Sequence, residues 1–323
     1  MTTFRGEFVT GHFNTTAVIR ARNRWGLARR SRVVVMLLIS LVAFVCGPLA
    51  PAASAAPGLC DAEVAALEAV SQRIDTHNAQ PHDFLLPDQA AAFNAYNAEA
   101  AQLNSEKAAA LAAANSCQSV ADKVSPPGGP PVQLPNPAST GMRGLEDAIA
   151  TIPSGWKSPS TVPRAPNGGV VVPRDSPIRP VYDVVRKMSP PKPSDIGNVP
   201  LQGATRPKVG DPDPAFPSGS GRTIGANKDG GPRVSPDHIV PLAELVQLPG
   251  FSQLTARNMM AVANSPSNLQ WLSNAANTTK FSRSGVAIKP FDPAFTTTQH
   301  ALEETARKGL SQLIQDLLSL QGK

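Results

Sequence analysis

Hydrophobic positions along the 323-residue chain fall into four patterns. The first is an unbroken apolar run over 33–45, preceded by Arg29, Arg30 and Arg32 and followed by Gly47, Pro48 and Ala53-Ser54-Ala55. Such a run spans only about 20 Å as a helix, short of a hydrocarbon core of roughly 30 Å. A basic flank, a short apolar segment and a small-residue site predict a secretory signal peptide over residues 1–55, cleaved after Ala55, with no stable membrane insertion afterwards. In the second pattern, Cys60, Val64, Leu67, Ser71 and Ile74 recur at helical spacing, which predicts a helix ending near His77. Pro81 and Pro87 bracket a loop; Phe93, Tyr96, Ala100, Leu103, Ala110, Ala114 and Cys117 then mark a second helix, broken only by Lys107. Two such helices hide their apolar faces by packing antiparallel. The third pattern is sparse, with a short helix over 142–152 and short ordered pieces at 169–172 and 181–188. In the fourth, Leu302, Ala306, Leu310, Leu313, Leu317 and Leu320 predict an amphipathic C-terminal helix.

Composition sharpens the middle of this picture. Of 33 prolines, 21 lie between residues 124 and 217. The stretch 124–194 therefore reads as an extended, partly polyproline-like linker. The predicted organisation is a signal peptide (1–55), a helical hairpin (56–123), the linker (124–194) and a C-terminal domain (195–323), in the α+β class.

Charge removes one function class. Residues 1–55 hold seven Arg and one Glu, which accounts for the whole net charge of +6. The remainder is neutral, so the high pI is not the sign of a polycationic nucleic-acid-binding surface, while a local basic site stays open. Residues 56–123 are net acidic, so the hairpin reads as a spacer, a docking element for an envelope partner or a chaperone-like segment. Of the three cysteines, Cys46 leaves with the signal peptide; Cys60 and Cys117 then have one possible pairing, in a compartment that permits disulfides. The bond would tie the open end of a hairpin with little core of its own. His77 and His82 lie near the loop and are expected to be solvated.

Two clusters near the C-terminus carry chemistry. One reads Asp237-His238-Ile239-Val240-Pro241; the other runs from Asn268-Leu269 to Asn277-Thr278-Thr279-Lys280. Asp237 and His238 end a short strand, Asn268 opens a second one, and Ser273 can cap a helix that sets Asn277 and Lys280 on one face. A carboxylate and an amide oxygen are hard ligands suited to Mg2+ or Mn2+. A histidine beside them can take a proton from water near neutral pH. Taken singly, Asp237 also fits a turn or capping residue and His238 a buried, hydrogen-bonded histidine. Trp271 fits core packing, and His300 fits a surface position.

The pattern resembles the HNH endonucleases, the ββα-metal or His-Me finger group, over residues 222–285. Order, identity and the spacing between Asn268 and Asn277 agree together. The resemblance implies that His238 is the general base for in-line attack on phosphorus and that Asp237 and Asn277 hold one divalent cation. It implies that Asn268 orients the segment bearing His238, and that cleavage leaves a 5′ phosphate. Lys280 and Arg283, with Arg233 beside them, are expected to contact substrate phosphates. Two departures stand out: Asn277 occupies a position where many relatives have histidine, and the stretch from His238 to Asn268 is long, with Pro249-Gly250-Phe251 suggesting an inserted loop. The expected function is a secreted, Mg2+- or Mn2+-dependent nuclease acting on DNA, with RNA as a second substrate candidate. The rival expectation is a cell-envelope interaction protein whose nuclease-like end is inactive.

Overall fold

The computed structural model describes residues 3–5, 59–85, 87–125, 132–283 and 290–322. The chain is α+β and divides into two units, Met1–Gln118 and Ser119–Lys323.

In the first unit β1 (Thr3–Arg5) pairs antiparallel with β2 (Asp83–Leu85). The rest of the predicted signal peptide, including its apolar run, Cys46 and the Ala55 cleavage site, lies outside the described residues. Helices α1 (Asp61–Asn78) and α2 (Ala90–Val124) flank β2, as the periodicity predicts. Ile74 packs with Ala100 and Leu103, Val70 leans on them, and Arg73 pairs with Glu106. Cys60 and Cys117 form the disulfide, with Cα atoms 5.7 Å apart. His77 departs from expectation, being buried with its ring centroid 4.0 Å from that of Tyr96. Its Nδ1 sits 3.1 Å from a Glu99 carboxylate oxygen, an ion-pair distance without hydrogen-bond alignment. Helical position explains the burial: His77 is three residues beyond Ile74 and continues its inward face.

The second unit absorbs the segment read as a linker. Helices α3 (Thr140–Ala150) and α4 (Arg179–Met188) pack on each other, and the short α5 (Pro193–Ile196) follows. Ser139 caps α3 by accepting from the Met142 N–H; Met142, Leu145 and Ala148 of α3 and Val181 and Val185 of α4 point inward. The irregular pieces are also tied down. The Gln247 amide donates to the Val171 carbonyl, the Ser158 hydroxyl to the Leu248 carbonyl, and the Asn264 amide to the Gln133 carbonyl. Proline content misleads here for a physical reason. Prolines lower the number of N–H groups that burial must satisfy, and a few apolar residues between them suffice to anchor each turn.

Strand β3 (Val234–His238) pairs antiparallel with β4 (Leu269–Ser273), and α8 (Asn274–Lys280) follows β4 directly. The long connection between the strands is not a surface loop. It contains α6 (Leu242–Leu245) and α7 (Ala256–Ala263), with Phe251 buried between them in sequence. Gly250 has φ 85°, and a Cβ there would lie 2.8 Å from Leu318 Cδ1, so the turn sits tight against the last helix. That helix, α9 (Pro293–Leu320), is capped by Asp292 and buries Ala306, Leu310, Leu313 and Leu317 as expected, together with Ile314 and Leu318. Leu320 is left exposed. Trp271 is core, packed with Leu201, Ile224, Val234 and Leu269, its indole donating to the Val199 carbonyl; His300 is exposed. No helix among the described residues is long and apolar enough to cross a membrane.

Closure of a loop of this size contributes about 4 kcal/mol. Reduction, or the change Cys60→Ser, is expected to lower the thermal midpoint of the hairpin helices followed by circular dichroism, while the fluorescence transition of Trp156 and Trp271 in the other unit stays in place.

Candidate active site

The end of β3 and the two residues after it are held from three directions. Alternation along the strand turns Ser235 and Asp237 towards α8 and His238 away from it. The Ser273 hydroxyl accepts from the Ala276 N–H, so α8 starts immediately after β4 and runs back beside β3. One turn apart on that helix, the Asn277 amide donates to Ser235 Oγ (3.3 Å) and the Lys280 ammonium donates to Asp237 Oδ2 (2.8 Å).

Lys280 does not lie where a phosphate contact is expected. Its side chain is 1% exposed, and its ammonium also donates to the main-chain carbonyls of His238 and Ile239. Three N–H donors thus meet three oxygens inside the unit, which matches the donor capacity of the group. Arg283 is similarly occupied: its guanidinium turns back to the carbonyls of Thr279 and Lys280 and closes the C-terminal end of α8. Arg233 is exposed, and its own carbonyl accepts from the Asn274 N–H. Phe281, next after Lys280, is 74% exposed and holds a left-handed backbone at φ 53°.

Asn268 is fully buried and brackets Val240, two residues beyond the end of β3. Its Oδ1 accepts from the Val240 N–H at 2.8 Å, its Nδ2 donates to the Val240 carbonyl at 3.2 Å, and its own carbonyl accepts from the Ile239 N–H. Asn268 is therefore a positioning residue for the segment directly after His238.

The imidazole of His238 is held by residues that sequence reasoning missed. Its Nε2 lies 3.0 Å from the Ala263 carbonyl, at the end of α7, and 2.9 Å from Ser189 Oγ; the Ser189 hydroxyl donates to the same carbonyl. A carbonyl oxygen only accepts, so the nitrogen facing it carries the proton and Nδ1 of the neutral ring keeps its lone pair. Ser189 lies in Met188-Ser189-Pro190-Pro191, read as linker, and no local signal distinguishes it from other Ser-Pro steps. Burial pulls the His238 pKa below the ordinary histidine range. The Asp237 charge and the Ala263 carbonyl oppose this shift, and the Lys280 charge adds to it.

The structure thus gathers Asp237, Asn277 and Lys280 on one side of β3. The His238 ring, expected to share their pocket, faces Ser189 and Ala263 on the other. The donor set suits a hard cation. The Asn277 amide nitrogen is turned to Ser235, so its oxygen is the atom that would ligate such an ion, and the Lys280 ammonium is a positive charge already accepted by Asp237. Among the described residues, the one group of three His, Cys, Asp or Glu donors within reach of a common ion is Cys60, Glu63 and Cys117, and its sulfurs are bonded to each other. Comparison of the chain with protein-family models, with curated proteins and with solved structures gives no match.

Asn268→Ala leaves the buried Val240 amide and carbonyl unpaired and is expected to cost about 2–4 kcal/mol in urea denaturation. A second expectation concerns pH. Because the folded pKa of His238 is lowered, the unfolded chain binds more protons as pH falls below about 6.5, so stability declines with acidification through that range. The denaturation midpoint should fall between pH 7.5 and pH 5.5, and fall less in His238→Asn.

Proposed function

We propose that the second unit is an HNH-type nuclease that hydrolyses phosphodiester bonds of DNA, with RNA as a further substrate, in a protein exported from the cell. The observation that carries the reading is the contact of His238 Nε2 with the Ala263 carbonyl, which assigns the ring proton to that nitrogen. With Nε2–H tied to the Ala263 carbonyl, Nδ1 is the atom that accepts a proton from attacking water. A lowered pKa keeps the ring neutral, and so competent as a base, at pH 7. The strand–strand–helix order of β3, β4 and α8 supports the reading, as does the hold of Asn268 on Val240.

Asp237 and Asn277 are the residues that would hold Mg2+ or Mn2+, whose charge would stabilise the departing oxygen. The chain's own residues do the rest. Ser189 and Ala263 orient the base, Asn268 fixes the main chain behind it, and Arg233 offers an exposed cation to phosphate. Phe281 offers an exposed ring on which a base can stack. The C-terminal region has nearly balanced charge, so affinity for nucleic acid should be modest and fall with salt.

A second reading is favoured by two observations: Lys280 and Arg283, both expected at the substrate, are engaged within the protein, and the buried His238 ring faces Ser189 and Ala263 rather than the side of β3 that holds Asp237 and Asn277. An inactive nuclease-like unit in an envelope interaction protein, docking through the acidic hairpin, would leave them so. Incubation with plasmid DNA and with RNA separates the two. The nuclease reading expects cleavage in Mg2+ that chelator abolishes and that His238→Ala lowers by about 100-fold or more. No cleavage with Mg2+ or Mn2+, or cleavage unchanged in His238→Ala, rejects it.

A further inference from the structure

We infer that Lys280 is a displaceable resident cation: its ammonium occupies the oxygen cradle at Asp237, and a divalent cation binds there only by turning that ammonium out to solvent. The inference rests on the reading of Asp237 and Asn277 as metal-holding residues. The cradle is built from Asp237 Oδ2 at 2.8 Å and the carbonyls of His238 and Ile239, and the ammonium within it is almost wholly shielded from water. One carboxylate balances one unit of positive charge. Adding a divalent ion beside a retained ammonium would leave a large uncompensated charge in a site where water screens little. The two cations therefore exclude each other.

Lysine suits exchange better than arginine. Its charge is compact and strongly hydrated, and its four-carbon stem rotates freely, so the released ammonium regains solvation at once. Arg283 shows the contrast within the same turn, locked by its fork to two carbonyls of α8. The resident ammonium also explains how a carboxylate as buried as Asp237 stays compensated when no metal is bound. Once released, Lys280 becomes a cation at the mouth of the site, available to substrate phosphate only when metal is in place. Metal loading and phosphate binding are then coupled through one side chain.

The test uses the full chain and Mg2+ alone. Amine-reactive labelling read by mass spectrometry compares Lys280 with the exposed Lys228 and Lys308. Without metal, Lys280 should label at least about tenfold more slowly than these two, and saturating Mg2+ should bring it close to their rate. Asp237→Asn should remove the effect of Mg2+. Lys280→Met, checked for folding by circular dichroism, should bind Mg2+ at least about tenfold more tightly by calorimetry, since nothing then has to leave. Lys280 that stays protected at saturating Mg2+ overturns the inference, as does absence of Mg2+ binding by both parent and variant. Failure of the function is read separately. Plasmid cleavage in Mg2+ with Lys280 still protected sinks the exchange and leaves the nuclease. Release of Lys280 without cleavage, in any divalent ion, sinks the nuclease and leaves the exchange.

Discussion

A buried ammonium group is among the more expensive things a protein can hold, because several kcal/mol of hydration are lost unless oxygens replace the water. Lys280 meets that cost with one carboxylate and two main-chain carbonyls, all from the end of β3 and the residue after it. The consequence is geometric. The last turn of α8 is pinned to the end of β3, and the carbonyls of His238 and Ile239 are forced to point the same way. Asn268, the residue just before β4, takes up the next residue, Val240. Three successive residues are thus immobilised by polar contacts from two elements, and the His238 ring inherits a fixed origin.

The ring's direction comes from elsewhere. Ala263 ends α7 within the long inter-strand connection, and Ser189 follows α4 in the proline-rich segment. Neither belongs to the strand–strand–helix unit itself. The surrounding architecture therefore contributes a contact to the candidate site, and α4 and α7 support the His238 ring as well as the core. A neutral imidazole with a defined tautomer is the chemical product of that support.

Electrostatic economy is the other theme. The basic residues nearest the site are consumed internally, Lys280 by Asp237 and Arg283 by the carbonyls ending α8. Arg307 pairs with the buried Glu244 and Lys123 with Asp316. The C-terminal region also has nearly balanced charge, which leaves little net field for distant steering.

Helical periodicity made α1, α2 and α9 legible, because each is long and buries a single stripe; the cap at Ser273 and the strand through Leu272 were equally readable. The cysteine pair was readable because only one partner remained. His77, the proline-rich segment and the connection from His238 to Asn268 were misjudged, since burial there depends on contacts with residues distant in sequence. By itself the sequence determined which side chains were chemically able to act, and it set Asn277 and Lys280 one turn apart, because helix spacing is local. Only the tertiary structure decided what those side chains do in the folded chain. It put an ammonium against the Asp237 carboxylate and a serine from a supposed linker against the imidazole, because desolvation obliges every buried polar group to find a partner wherever the fold provides one.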